Sequence, residues 1–195
     1  MKFRNPIIPG FFPDPSICRA GQDFYLVNSS FEFFPGVPIY HSRDLVNWRQ
    51  LGHVLTRESQ LPLKGCGTSG GVFAPTIREH NGRFYMITTN VNKSKPGFST
   101  ANFIVHTDDV SGEWSDPSPI DQMGIDPSLF WDDDGKCYYV GTHYTPDGRQ
   151  CIGQFEINPD DGQRLSETKA IWYGTGGKCP EGPHMYKING MYYLM

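Results

Sequence analysis

The sequence predicts an all-β protein built as a β-propeller, of which the 195 residues supply about three blades and the start of a fourth. The chain carries 22 glycines, 16 prolines and 14% aromatic residues, a composition typical of short strands joined by tight turns. Pro and Gly also interrupt every window long enough for an amphipathic helix. Finally, a unit of 52 to 60 residues recurs, which is the size of a propeller blade.

Each unit opens on a short motif that contains a proline. The four openings read DPSI from residue 14, APTI from residue 74, DPSL from residue 126 and EGPHM from residue 181. A glycine follows the proline by six to eight residues, and an aromatic pair or near pair comes two or three residues after that glycine. A strand, a glycine turn and an aromatic strand together predict a β-hairpin.

The first two units share a second half, in which His41 leads to Trp48 and His106 leads to Trp114. We therefore expect about four strands per unit, with blades at about 10–60, 70–120 and 124–175 and an incomplete blade at 179–195. A β-sandwich of regular hairpins is the alternative, but it does not explain the shared openings. Propellers close with roughly 4 to 8 blades, so we expect the front part of a longer protein. Its open sheet edge favours self-association.

Acidic residues stand at three of the four openings, namely Asp14, Asp126 and Glu181, while the second unit has Ala74. The first strand of each propeller blade lines the central channel, so we expect the three carboxylates to meet at one mouth of it. Like charges gathered in one place keep one carboxyl protonated while another stays ionised, as acid/base catalysis requires. An Asp-Pro turn is the alternative for each acid, but turn chemistry does not demand a shared register.

Several motifs in order resemble glycoside hydrolase family 43, most closely its β-xylosidase and α-L-arabinofuranosidase members. They are GFFPDPSI at 10–17, FEFFPGV at 31–37, YHSRDL to Trp48 from residue 40, GIDPSLF at 124–130 and PEGPH at 180–184. The resemblance covers essentially the whole chain. It implies a five-bladed propeller and a glycosidase that removes terminal β-xylosyl or α-L-arabinofuranosyl residues from plant-derived oligosaccharides with inversion.

The resemblance also implies catalytic roles for the three acids. Asp14 matches the general base that activates water, Glu181 matches the general acid, and Asp126 matches the residue that tunes and orients that acid. An inverting pair of carboxyl groups stands about 6.5–9.5 Å apart, which leaves room for the water. Two alternatives stay open, an endo-arabinanase of the same fold and a sugar-binding propeller without catalysis.

Four further residues are predicted to bind substrate. Phe31 and Phe73 are candidates for the apolar platform on which a sugar face stacks, although each equally suits packing between blades. Phe73 precedes Ala74 and stands where family members often carry Trp, which reduces the stacking area. His184 follows the predicted acid closely enough to contact it.

Charge and hydropathy exclude several other classes. The formal net charge of −4 and a pI near 5.8 give no basic field that would attract nucleic acid. The sequence also lacks the run of about 18 apolar residues that would predict a membrane span. The first residues lack the apolar region of a signal peptide, so we expect a cytoplasmic protein whose five cysteines are reduced.

We assign no cofactor and no metal ligand, because the six histidines show no metal-binding spacing. The family sometimes holds a calcium ion in the central channel, but the neighbouring histidine belongs to a later blade. The expected partner is an oligosaccharide substrate, and homo-oligomerisation of the complete protein stays open. We expect the 195 residues alone to be inactive, because later blades of such enzymes contribute walls of the pocket.

Overall fold

The computed structural model describes residues 3–93 and 99–195. Every element of regular secondary structure assigned in that part is a β-strand. Accordingly, the described residues contain no helix long and apolar enough to cross a membrane. The strands form four antiparallel sheets that follow one another along the chain. Each sheet lies within the range predicted for its unit.

The first blade has four strands in the spatial order of the sequence. They are β1 (Ser16–Ala20), β2 (Asp23–Val27), β3 (Gly36–Ser42) and β4 (Arg49–Leu55). The hairpin between β1 and β2 turns at Gly21, whose φ of 62° is left-handed and is tolerated best by glycine. The glycines predicted to turn the other three hairpins also have positive φ, so the four predicted hairpins are confirmed.

The second blade has five strands rather than about four. They are β5 (Gly71–Val72), β6 (Thr76–His80), β7 (Arg83–Asn92), β8 (Ser99–Thr107) and β9 (Ser118–Ile120). The central strand β7 is ten residues long and extends beyond β6, so the short strand β5 pairs with the remainder of the same edge. This extra strand becomes important at the candidate site.

The third blade again has four strands, and a two-stranded hairpin follows it. The third blade contains β10 (Ser128–Trp131), β11 (Cys137–Tyr144), β12 (Gln150–Glu156) and β13 (Lys169–Trp172), and the hairpin contains β14 (Met185–Ile188) and β15 (Met191–Leu194). The innermost strands β1, β6, β10 and β14 contact one another in that order, as in a propeller. The chain thus forms three blades and the first hairpin of a fourth.

Hydroxyl groups just after the repeat prolines join neighbouring blades. The hydroxyl of Thr76 donates to the carbonyl of Pro127 (2.9 Å), and that of Ser128 donates to the carbonyl of Pro183 (2.6 Å). Between the first two blades the hydroxyl of Ser16 accepts a 3.2 Å hydrogen bond from a backbone N–H of β6. These bonds hold the four openings in register around the channel.

The apolar core lies between the faces of adjacent blades. Side chains of β7 alternate between the two sides of the middle blade, as a strand requires. Met86 packs with Ile39 of the first blade, whereas Ile87 packs with Leu129 of the third. Both faces of the middle blade are therefore apolar, and burial of these faces fixes the blade spacing.

Candidate active site

Two of the three acids at the openings share an unusual backbone conformation. Asp14 precedes β1 and Asp126 precedes β10, and both have left-handed φ values, 51° and 55°. Such values are uncommon for residues other than glycine and are frequent at functional sites. The same turn in two blades presents both carboxylates at the same end of the channel.

The predicted register of the third acid is wrong by one residue. In the fourth unit the left-handed residue before the proline is Gly182, with φ of 63°, so Gly182 and not Glu181 occupies the position of Asp14 and Asp126. Glu181 stands one residue earlier, and its side chain is one methylene longer than that of aspartate. Glycine is favoured where an acid stands elsewhere because it adopts this φ without strain.

The three carboxylates nevertheless lie close enough to interact. The pKa of Asp126 is raised from its usual 3.8 to about 6, first by burial and then by the negative charges of Glu181 and Asp14. The backbone N–H of Gly182 donates to the Asp126 carboxylate and opposes this shift. The structure therefore brings the three predicted acids together, with Asp126 between charges from the first and fourth units.

Two residues after β2 position Asp14. The hydroxyl of Ser29 donates to Oδ2 of Asp14 over 2.5 Å. The fully buried side-chain amide of Asn28 donates to the carbonyls of Phe12 and Pro13, each at 3.0 Å. Sequence reasoning missed both residues, because nothing in the local pattern shows that this loop returns to residues 12–14.

Glu181 has a more open environment. Its side chain is exposed, and its Oε1 accepts a 3.3 Å hydrogen bond from the side-chain amide of Gln150 on β12. Asp126 is only partly exposed by comparison. The carboxyl groups thus differ in solvation, which is the condition for giving them different protonation states.

A cavity of about 200 Å³ opens between the blade openings. Asp14, Asp126, Ala74 and His184 all line it, so it contains two of the predicted catalytic residues and two of the predicted substrate-binding residues. The methyl group of Ala74 stands where the neighbouring units have carboxylates. The second unit therefore contributes space to the cavity and no charge.

The predicted aromatic platform is placed by β5. Phe31 and Val72 exchange backbone hydrogen bonds of 2.9 and 3.0 Å, which sets Phe73, the next residue, beside Phe31 with ring centroids 5.9 Å apart. Gly71 must be glycine, because a Cβ there would lie 2.1 Å from the carbonyl oxygen of Phe31. Phe11, which sequence reasoning missed, stacks on Phe31 at 6.2 Å and is 77% exposed.

His184 contacts an arginine that the sequence did not indicate. Nη2 of Arg78, on β6, lies 2.8 Å from Nδ1 of His184. Burial and the Arg78 charge lower the pKa of His184 from 6.5 to about 4. His184 is therefore neutral at ordinary pH, and a cation of the second blade reaches the fourth.

The described residues give no support for a metal centre in this part of the chain. Among residues 3–93 and 99–195, no group of three or more His, Cys, Asp and Glu side chains is arranged to hold a metal ion. Asp132, in the acidic turn after β10, instead pairs with Lys187 at 2.7 Å.

Comparison with known proteins identifies the family. The sequence profile named "Glycosyl hydrolases family 43" matches residues 3–195. A xylosidase/arabinosidase of Butyrivibrio fibrisolvens is 54% identical over 98% of this chain and 38% of its own length. A non-reducing end alpha-L-arabinofuranosidase of Bacteroides ovatus is 46% identical over 99% of this chain and 35% of its own.

A solved structure supports the same assignment. The crystal structure of a xylan beta-1,4-xylosidase from Bacillus halodurans superposes with a TM-score of 0.92 at 42% identity, over 99% of this chain and 38% of that one. The chain thus spans little more than a third of the length of the relatives it matches. The predicted fold, a five-bladed β-propeller of which this chain forms about three blades and the start of a fourth, is confirmed. On its sequence and its fold, the chain belongs to glycosyl hydrolases family 43.

Proposed function

We propose that the protein to which these residues belong is an inverting exo-glycosidase that removes xylosyl or arabinofuranosyl residues from the non-reducing ends of oligosaccharides. One observation carries the proposal: the negative charges of Asp14 and Glu181 both act on Asp126, which lines a cavity between the blades. Relatives with xylosidase and arabinofuranosidase names support the substrate class.

The three acids take different roles in the proposed reaction. Asp14, held by Ser29, acts as the general base that takes a proton from the attacking water. Glu181 acts as the general acid that protonates the leaving glycosidic oxygen. Asp126, whose carboxyl group interacts electrostatically with that of Glu181, orients the acid. No cofactor is required for this chemistry.

The name of one relative favours exo action. The Bacteroides ovatus relative is a non-reducing end alpha-L-arabinofuranosidase, and we extend this mode of action to the present protein. Phe31 and Phe73, which meet edge to face, supply an apolar surface for a terminal sugar ring. We place the protein in the cytoplasm as part of the same proposal.

The test uses a protein extended to the length of the relatives. Asp14→Ala and Glu181→Ala are each expected to reduce turnover by roughly 10²–10⁴-fold with an unchanged circular dichroism spectrum. Glu181→Ala is expected to lose less on aryl glycosides whose leaving group needs no proton. The sugar product, followed by proton NMR, is expected with inverted anomeric configuration. Turnover near that of the wild type in either variant, or retention of configuration, contradicts the proposal.

A substrate panel separates the remaining alternatives. Chromogenic xylosides and arabinofuranosides are expected to be cleaved and linear arabinan to be cut only from its ends. Internal cleavage of arabinan would identify an endo-arabinanase. Tight binding of xylo-oligosaccharides without any product would identify a sugar-binding propeller.

A further inference from the structure

Arg78 crosses from the second blade to the fourth. Its guanidinium makes three hydrogen bonds, in which Nη1 donates to the carbonyl of Ile77 (3.1 Å), Nε to the carbonyl of Leu129 (3.2 Å) and Nη2 to Nδ1 of His184 (2.8 Å). The same guanidinium lies 5.6 Å from the ring centre of Tyr186. Contacts from three blades therefore fix the position of this cation.

This contact determines where the proton of His184 resides. A guanidinium only donates hydrogen bonds and stays charged, so Nδ1 must offer its lone pair. A neutral imidazole then carries its single proton on Nε2. Protonation of Nδ1 would set two donors and two positive charges against each other.

His184 also departs from the pattern of the repeat. It follows the proline of its unit, where the first three units have Ser16, Thr76 and Ser128, whose hydroxyls join neighbouring blades. In the fourth unit an imidazole takes that place and lines the cavity together with Asp14 and Asp126. The substitution replaces a bond between adjacent blades with a link to a cation two blades away.

We propose that Arg78 is a positioning residue that holds His184 as a neutral imidazole, whose Nε2–H donates a hydrogen bond to a hydroxyl oxygen of the bound sugar. The sugar part of this inference rests on the proposed function. An imidazolium three residues from Glu181 would favour loss of the proton that a general acid must keep. A fixed neutral donor binds the sugar without that effect.

The charged and titratable groups around His184 act in different directions. Arg78 approaches from β6, and Tyr186 on β14 stacks on His184 with ring centroids 6.4 Å apart. The carboxylates of Asp14 and Asp126 line the same cavity, and Glu181 lies three residues before His184 in the chain. The carboxylates favour a charged imidazole, whereas the arginine and burial oppose it. The low pKa of His184, about 4, indicates that burial and the arginine prevail.

The first arm of the test follows the imidazole directly by nitrogen-15 NMR of this 195-residue chain. In the wild type we expect the His184 ring to show the Nε2–H tautomer and no titration between pH 5 and 8. In Arg78→Met the midpoint is expected to rise by about one pH unit or more, with a mixture of tautomers. Arg78→Lys, which keeps a charged donor, is expected to lie between the two.

Arg19→Met is the matched control. Arg19 is exposed on β1, and its Nε donates to the carbonyl of Gly21 within its own hairpin. The Arg19→Met substitution should leave the His184 resonances unchanged. An Nδ1–H tautomer in the wild type, or identical His184 behaviour in wild type and Arg78→Met, overturns the proposal even if Arg78→Lys fails to fold.

The second arm measures hydrolysis of aryl xylosides and arabinofuranosides by the extended protein. Arg78→Met is expected to raise KM about twofold or more at pH 5, where at least half of the imidazole is then protonated, and less at pH 8, where the imidazole is neutral without help. An equal loss at every pH contradicts the positioning role. If the wild type does not hydrolyse any glycoside, the proposed function fails, while the NMR arm still decides the role of Arg78.

Discussion

Asp126 is the residue whose protonation links stability to the active site. Its pKa of about 6 in the folded protein exceeds the usual 3.8, so the folded state holds this proton more tightly than the unfolded state. Stability therefore falls as pH rises from about 4 to about 6, and at pH 7 the ionised carboxylate destabilises the fold by about 3 kcal/mol. The cluster of charges that suits catalysis opposes folding.

We predict that Asp126→Asn stabilises the protein at pH 7. The amide keeps an oxygen to accept the Gly182 N–H but carries no charge, so the free energy of unfolding should rise by up to about 3 kcal/mol at pH 7 and by little at pH 4. Urea denaturation at both pH values measures this. Asp121→Asn, an exposed change before the same blade, should have no such effect. A destabilised Asp126→Asn variant at pH 7 would contradict the electrostatic account.

The innermost strands depend on the hydroxyls that follow the repeat prolines. Ser128 is fully buried, and its hydroxyl is one of the links between the third blade and the fourth hairpin. Removing this donor leaves the buried carbonyl of Pro183 without its partner, which is more damaging than losing an exposed hydrogen bond. The repeat motif is thus a device for joining blades as well as for presenting acids.

Ser128→Ala is expected to lower the free energy of unfolding by about 1–3 kcal/mol. Ser118→Ala is the control, since the Ser118 hydroxyl also donates to a backbone carbonyl, that of Asp160, but at the surface. Ser128→Thr, which introduces the residue found at the same place in the second unit, should retain more stability than alanine. Equal stability of the two alanine variants in urea would show that the buried bond is not important.

An ion pair holds the fourth hairpin against the third blade. Nζ of Lys187 lies 2.7 Å from Oδ1 of Asp132, and the hydroxyl of Tyr192 donates to Oδ2 over 2.6 Å. These partners lower the pKa of Asp132 from 3.8 to about 2. The pairing therefore stabilises the hairpin above about pH 4 and is lost as the pH falls towards 2.

We expect Lys187→Met to loosen β14 and β15 at pH 7 but to have less effect near pH 2, where Asp132 is already about half protonated in the wild type. Hydrogen exchange of the hairpin amides measures the change, with about tenfold faster exchange expected at pH 7. Lys136→Met is the control, because Lys136 pairs with Glu156 inside the third blade at 2.8 Å. Faster exchange of the hairpin amides in Lys136→Met than in Lys187→Met would show that the pair of Lys187 and Asp132 does not hold the hairpin.

At the scale of the whole molecule, the chain matches 38% of the length of a relative that is 54% identical to it. Its last strand, β15, pairs only with β14 among the described residues. Met191, Tyr192 and Tyr193 of this strand are 61%, 50% and 47% exposed. An apolar strand with one unpaired edge favours pairing with another chain.

The 195-residue chain is therefore expected to self-associate, and Tyr193→Lys is expected to reduce this. Light scattering after size-exclusion chromatography measures the mass, and Tyr144→Lys, at a similarly exposed tyrosine outside β15, is the control. A monomeric wild type at about 100 μM contradicts the prediction.

Turnover of residues 1–195 is expected to be far below that of the protein extended to the length of the relatives. The cavity among the openings is lined here by groups of four units, and the five-bladed fold requires a further wall. The comparison uses aryl xylosides at equal molar concentration. Equal rates would show that these residues already form the complete site.

The sequence by itself determined the hairpins, the blade repeat, the identities of the three acids and the family. These are properties of local spacing, because a glycine turn or an Asp-Pro opening needs only its own neighbours. The extra strand β5 was not predicted, since it depends on how another segment packs against the edge of β7. The one-residue offset of Glu181 is visible in the sequence, where Gly182 separates Glu181 from the proline, but aligning the units by their acids overlooked it.

Only the tertiary structure decided how the acids are supported. Ser29 reaches Asp14 across 15 residues, and Arg78 reaches His184 across 106. The raised pKa of Asp126 likewise exists only after folding, because burial and the charges of two other units produce it. Spacing along a chain indicates which groups recur, whereas hydrogen bonds and electrostatic fields depend on distances that only the packed blades establish.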